Sequence, residues 1–234
     1  MQSPSFRDMT LAGFAERLSS SDPVPGGGSA SAVSAALGAS LVAMVAALTQ
    51  GRPRYAEHEA LARAVGPRAL ALADELFGLA DADAEAYAAC AIALKLPKES
   101  FSDQELRDRQ VKATALLAAE VPLRCVERCL EGLHLAEALA GRSNRNASSD
   151  LRVASLLLEA AADGAAANVL VNLPLVGASE WVASTEARVN QLLADSNAVA
   201  KQVRDVVASG EGRAPLAELP AEPVVARTTS RPGA

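Results

Sequence analysis

Aromatic residues are nearly missing from this chain, with one Trp, two Tyr and four Phe in 234 residues, although half of all residues are hydrophobic. A core without rings must be built from Ala, Leu and Val, and alanine favours closely packed helices while forming strands poorly. Histidine is rarer still, with His58 and His134 alone, and the three cysteines, Cys90, Cys125 and Cys129, form no disulfide framework. Cys125 and Cys129 share a helical face, but neither histidine stands at a zinc-like spacing from them, so buried free thiols are expected and no metal site. Basic excess is absent too: a formal net charge of −6 argues against nucleic acid as a partner. The first ten residues hold Arg7 and Asp8 and no apolar secretory core, so a cytoplasmic location is expected.

What is present begins with residues 23–51, which carry no charge and open with Pro25-Gly26-Gly27-Gly28-Ser29. Pro23 and Pro25 stop a preceding helix, the glycines allow close backbone approach, and Ser29 begins a segment with helical propensity. Such a turn places unpaired backbone N–H groups beside a ligand. It is not a Walker phosphate loop, because no lysine follows the glycines. Nor is it a dinucleotide fingerprint, since residues 11–20 before it read as helix rather than strand. The run is long enough to cross a bilayer, but Ala, Ser and Gly gain little from hydrocarbon and no aromatic anchors flank it, so no membrane partner is expected. The alternative to a ligand turn is the start of a tightly packed central helix, because Ala30, Ser34, Gly38 and Ala35, Ala39 follow the i, i+4 spacing of close helix contacts.

Helical periodicity covers almost the whole chain. Met9, Leu11, Phe14, Ala15 and Leu18 trace one face of a short first helix, and residues 29–49 form the second. A third runs over 55–94 with an interruption at Gly66-Pro67. Ser102 and Glu105 make a capping-box signature for a fourth, reaching residue 140 with a kink at Pro122. A polar loop over 141–149 precedes a helix over 150–171, and an amphipathic helix over 179–209 comes last. No strand alternation and no repeat is visible. The predicted fold is therefore all-α, an antiparallel helical bundle with long kinked helices, over residues 1–209, followed by a flexible Pro/Gly/Ala-rich tail over 210–234.

Without metal, paired histidines or a nucleophilic cysteine, carboxylates are the chief candidates for moving protons. Asp81 and Asp83 are two apart on a helix and point different ways, whereas Asp83 and Tyr87 lie one turn apart and share a face. Asn168 and Asn172 interrupt a face otherwise lined by Ala and Val, where they either bridge helices or bind a heteroaromatic ligand. The loop from Asn144 to Asp150 can cap the helix that follows. Arg52, Arg54, Lys95 and Lys98 follow the ends of two helices, where they complement the helix dipole.

These pieces occur in one order: Pro25-Gly26-Gly27-Gly28-Ser29, then Met44 and Thr49 with Gly51-Arg52 and Tyr55, then Asp81-Ala82-Asp83 with Tyr87. Leu96-Pro97-Lys98, Val121-Pro122-Leu123, Asn144 with Ser149-Asp150-Leu151, and Asn168-Val169-Leu170-Val171-Asn172 complete the set. The ordered set resembles the formimidoyltetrahydrofolate cyclodeaminase and methenyltetrahydrofolate cyclohydrolase family, which includes the C-terminal half of formiminotransferase-cyclodeaminase. The resemblance implies an all-helical homodimer whose substrate is a tetrahydrofolate derivative and which uses neither metal nor bound cofactor. It implies Asp83 as the catalytic acid, with Gly26, Gly27, Gly28, Ser29 and Tyr87 in the substrate site. Asn144, Asp150, Asn168 and Asn172 are then expected at the pterin edges, and Arg52, Arg54, Lys95 and Lys98 at the glutamate tail. Ser149-Asp150-Leu151 and Asn168-Val169-Leu170 look closer to the bifunctional enzymes, which favours a cyclodeaminase. The alternatives are a cyclohydrolase giving 10-formyltetrahydrofolate, which single-domain length suits, and a non-catalytic folate-binding or dimerisation module.

Overall fold

Alanine and leucine at helical spacing form six α-helices in the computed structural model, which describes residues 5–177 and 179–216. They are α1 Leu11–Leu18, α2 Gly27–Thr49, α3 Glu59–Leu94, α4 Phe101–Leu139, α5 Ser148–Val176 and α6 Glu180–Ser209, with no strand among the described residues. Short 3-10 turns, Phe6–Asp8, Pro53–His58 and Arg145–Ala147, lie between or before them. The all-α expectation holds, and several element boundaries move for identifiable reasons.

Helix α2 starts at Gly27, with Gly26 as an extended N-cap, so Ser29 is already in the first turn. The capping box sits two residues before the expected Ser102–Glu105 pair. Ser100 Oγ accepts the Asp103 N–H at 3.1 Å while Asp103 accepts the Ser100 N–H at 3.1 Å, an aspartate doing the work usually given to glutamate. The expected interruption at Gly66-Pro67 does not occur, for α3 runs through Pro67 as α4 runs through Pro122 and α5 through Pro174. An interior proline costs about 3 kcal/mol, and at Pro67 the flanking Val65, Ala69 and Leu72, all buried, outweigh it. The face expected for α1 is not buried: Leu11 is exposed, and only Phe14 and the preceding Met9 pack on the core, Phe14 edge-on to Phe6.

Four helices close a ring in which α2 packs on α3 and α5, and α4 on α3 and α5, while α6 covers α4 and α5 from outside. Cross-helix pairs fix the directions. Ser29 meets Ala80 while Gln50 meets Ala62, so α3 is antiparallel to α2. Arg124 meets Glu75 and Arg68 meets Glu131, so α4 is antiparallel to α3. Glu127 with Arg188 and Glu137 with Gln202 set α6 parallel to α4. All three cysteines are free and buried in this core. By length and composition α2 and α5 could each cross a membrane; here both bury their inner faces in the same ring.

Of the segment read as a flexible tail, residues 210–216 are described, and they are tied down rather than loose. Arg213 N–H donates to the Gly141 carbonyl at 2.8 Å, and Arg142 Nε donates to the Ala214 carbonyl at 2.6 Å. Residues 217–234 lie outside the described residues.

The small-residue reading of α2 is realised at Gly38, which is buried against α5. A Cβ added there would stand 2.8 Å from Leu158 Cγ and 3.2 Å from the Ala154 carbonyl oxygen. Overpacking costs about 1–3 kcal/mol against roughly 1 kcal/mol gained in helix propensity. Gly38→Ala is therefore expected to lower unfolding free energy by about 1 kcal/mol, measured by urea denaturation.

Candidate functional site

The head of α2 is shaped by what Gly28 lacks. A Cβ at that position would fall 2.2 Å from Asp83 Oδ1 and 2.6 Å from Asp83 Cγ, so the carboxylate of α3 occupies the volume that any other residue would fill. The next residue binds it. Ser29 Oγ lies 3.0 Å from Asp83 Oδ2 and 3.0 Å from the Ala80 carbonyl oxygen, sharing one proton between them, and the Ser29 backbone N–H also donates to Asp83. Burial raises the Asp83 pKa above the usual aspartate value, and the Ser29 hydroxyl and N–H oppose that rise without cancelling it. The result is a carboxyl group able to hold a proton further toward neutral pH.

A cavity of about 180 Å³ opens in front of this carboxyl group. Pro23, Val24 and Gly26 to Gly28 form one wall, Asp83 and Tyr87 of α3 a second, and Ala118 of α4 with Asn168 and Asn172 of α5 the rest. Asn172 Nδ2 donates to the Ala118 carbonyl at 2.9 Å and to the Asn168 carbonyl at 2.8 Å, so it bridges α5 to α4 while facing the cavity. Asn168 Nδ2 donates to the Gly164 carbonyl at 2.8 Å. Asn172 spends both its N–H donors on backbone and Asn168 one of its two, so the amide oxygens are left to accept from a ligand. Backbone N–H groups at the start of α2, a protonatable carboxyl, a phenol and two amide oxygens suit a flat polar heterocycle and proton transfer to it.

Asp81 takes no part. It accepts from Ser5 Oγ and, at 2.8 Å, from the Phe6 N–H, tethering the first 3-10 turn on another face of α3.

The structure thus gathers Gly26, Gly27, Gly28, Ser29, Asp83, Tyr87, Asn168 and Asn172, and it does not gather the other predicted residues. Arg52 and Arg54 follow the far end of α2, about 33 Å from Gly27 at 1.5 Å per residue. Arg52 Nε donates to the Leu48 carbonyl at 2.7 Å, completing the end of α2. Asn144 is at that end as well: its N–H donates to Thr49 Oγ1 at 3.0 Å, its Nδ2 donates to the Leu48 carbonyl at 3.1 Å, and its Oδ1 caps the 3-10 turn before α5. Asp150 stands in the first turn of α5 beside it. Lys95 is the C-cap of α3 and Lys98 lies in the loop beyond, and neither lines the cavity. Sequence reasoning missed Ala118, for which no signal exists in a chain so rich in alanine, and Val24, whose place beside Pro25 was the available hint.

Fold and site together define a helical-bundle protein with a protonatable carboxyl group beside a small polar cavity. Residues 10–191 match the family described as formiminotransferase-cyclodeaminase, and the chain belongs to that family. It is 36% identical over 200 residues to a methenyltetrahydrofolate cyclohydrolase of Methylorubrum extorquens, covering 86% of this chain and 96% of that one. It is 35% identical to the formimidoyltransferase-cyclodeaminase of Mus musculus over 85% of this chain, spanning 37% of the mouse protein. The crystal structure of a formiminotetrahydrofolate cyclodeaminase from Thermotoga maritima shares the fold, with a TM-score of 0.79, 24% identity, and coverage of 87% of this chain and 98% of that one. The names of the relatives span two reactions of folate one-carbon chemistry.

The Ser29 contacts give a test that needs no substrate. Because the hydroxyl contact lowers the Asp83 pKa and alanine keeps only the backbone N–H, Ser29→Ala is expected to raise it further, read from the Asp83 carboxyl carbon by NMR titration.

Proposed function

We propose that this protein is a tetrahydrofolate one-carbon enzyme that cyclises 5-formiminotetrahydrofolate to 5,10-methenyltetrahydrofolate with release of ammonia. The observation that carries the reading is Asp83, a carboxyl group with a raised pKa in a cavity that suits a polar ring, within a family whose named members act on folates. As N10 attacks the formimino carbon, protonated Asp83 gives its proton to the imine nitrogen, and the carboxylate then takes the proton from N10. Asp83 passes that proton to the amino group, which leaves as ammonia, and the carbon–nitrogen double bond of the methenyl cation forms. One proton from solvent restores the acid. Each transfer is within the means of one carboxyl group, so the reading needs no cofactor.

A second reading is the cyclohydrolase reaction, in which water adds to the methenyl carbon and the ring opens to 10-formyltetrahydrofolate. The near end-to-end match to the Methylorubrum relative favours it. Either way, Lys95 and Lys98 lie about 18 Å or more beyond Asp83 along and past α3, where the glutamate tail of a bound folate can reach.

The active form in this proposal is a homodimer. Leu37, Leu41, Met44 and Leu48 make a 4-3-4 apolar seam on the outward face of α2, partly or well exposed, within a stretch free of charge. Val153 and Leu156 of α5, the helix that packs on α2, are exposed as well. Antiparallel two-fold pairing through this seam sets the Arg52 and Asn144 end of one protomer toward the Asp83 end of its partner, gathering motifs that a single protomer keeps apart.

Turnover assays test the catalytic reading, and a seam variant tests the pairing. Supplied with 5-formiminotetrahydrofolate, the protein is expected to produce ammonia and methenyl absorbance, and supplied with methenyltetrahydrofolate to hasten the decay of that absorbance if it is a cyclohydrolase. No acceleration of either sinks the catalytic reading. Asp83→Asn is expected to lower turnover by about 10²–10⁴-fold, and wild-type turnover should fall as pH rises through the elevated Asp83 pKa, because the protonated form is the donor. Met44→Glu places a charge in the seam and should convert the dimer to monomer in sedimentation with parallel loss of turnover; an active monomer would refute the pairing.

A further inference from the structure

The family resemblance sets Ser29 among the substrate ligands, yet Ser29 is 0% exposed and does not line the cavity in front of Asp83. Its hydroxyl also differs from the others on its helix. Ser31, Ser34, Ser40 and Thr49 each donate to the carbonyl four residues back on α2, at 2.8–2.9 Å. Four residues before Ser29 stands Pro25, ahead of the helix, so that local bond is replaced by one to another helix. Ser29 crosses to α3, where Asp83 Oδ2 and the Ala80 carbonyl oxygen both stand 3.0 Å from its Oγ.

This contact makes the two oxygens of the Asp83 carboxyl group unequal. Oδ2 meets Ser29, and Ser29 and Ala80 are both without solvent exposure. Oδ1 is the oxygen nearest the empty Cβ position of Gly28, at 2.2 Å against 2.6 Å for Oδ2, and Gly28 lines the cavity. A hydroxyl has a single hydrogen to donate. Aimed between two acceptors on α3, that hydrogen is directed at Oδ2, and a second hydrogen on Oδ2 would meet it head-on. The acid proton therefore belongs on Oδ1, toward the cavity wall. A carboxyl group held in this way exchanges its proton through one oxygen while the other fixes its orientation.

We propose that Ser29 is a positioning residue and not a substrate ligand: its hydroxyl holds Asp83 by Oδ2 and leaves Oδ1 to carry the proton into the cavity. The proposal rests on the reading of Asp83 as the proton carrier. Three variants test it with whichever folate the wild-type protein turns over. Ser29→Ala deletes the hydroxyl, Ser29→Cys nearly keeps the volume but donates weakly, and Ser29→Thr keeps the hydroxyl. The Ala and Cys proteins are expected to lose about tenfold or more in kcat. Their KM should stay within about twofold of wild type, because the lost group acts on Asp83 and not on the substrate. Their turnover should also persist to higher pH, since losing the hydroxyl raises the Asp83 pKa and keeps the acid protonated further up the scale. Ser29→Thr should restore both kcat and the wild-type pH limb; if its extra methyl prevents folding, the Ala and Cys proteins decide. A raised KM at unchanged kcat, full kcat in the Ala or Cys protein, or a lowered kcat with the pH limb unmoved overturns the proposal. If the wild-type protein turns over neither folate, the folate reading fails alone, and NMR titration of the Asp83 carboxyl carbon in the same variants still decides. The Asp83 pKa is then expected to rise in the Ala and Cys proteins and to stay in place in the Thr protein, and an equal pKa in all of them and in wild type overturns the Ser29 contact.

Discussion

The approach of the Gly28 backbone to the Asp83 carboxylate sets the distance between α2 and α3, and the cavity takes its shape from that distance. A glycine on the other side does the same for α5, since a Cβ on Gly164 would stand 2.5 Å from Ser31 Oγ. The first turns of α2 are thus clamped between two helices at backbone contact. Ser29 then has no freedom to turn away, and its hydroxyl and N–H are spent on α3. The amides of α5 face the same space because the clamp fixes α5 as well. A side chain larger than hydrogen at position 28 cannot be absorbed locally: it displaces the carboxylate, the helix, or both.

Charge placed inside the bundle sets the position of α6 rather than adding much stability. Arg188 Nε and Nη2 both donate to Glu127 Oε1, at 2.9 and 2.7 Å, and Glu131 is held by Arg68 and Arg128. Buried ion pairs give back in Coulomb energy much of what desolvation costs, so their net effect is registration. Arg204 to Glu159 repeats this between α6 and α5. With α6 held in register, its end and the segment beyond line a cavity of about 520 Å³ together with the turns Pro53–His58 and Arg145–Ala147.

Helix class and number were legible because the chain has almost nothing but small and aliphatic residues at helical spacing. The errors came from local signals that packing overrode. Gly66-Pro67 reads as a break, yet a helix of 36 residues buried along most of its length tolerates one lost hydrogen bond. Ser102 and Glu105 read as a cap, yet Ser100 and Asp103 fit the same geometry and began the helix earlier. At the site, the shared face of Asp83 and Tyr87 was legible in helical spacing and the close approach of the glycine turn in its composition, while the choice of Asp83 as the acid came from the family resemblance. The separation of Arg52, Asn144 and Asp150 from Asp83 was not, because it depends on the length of α2 and on which helix ends meet, and a motif order along the chain carries neither.

The three cysteines have a practical meaning that their chemistry conceals. Cys90, Cys125 and Cys129 are all at most 4% exposed, and the Cys129 thiol, hydrogen-bonded to Cys125 and fully enclosed, is pushed well above the usual cysteine pKa. The folded protein offers no accessible thiolate to an alkylating reagent. A cysteine introduced on the surface is therefore the one position a maleimide dye or spin label will take, without stripping the native thiols first. Labels near Tyr87 and near Arg54 would report separately on the two ends of the bundle, making a protein poor in natural chromophores directly observable.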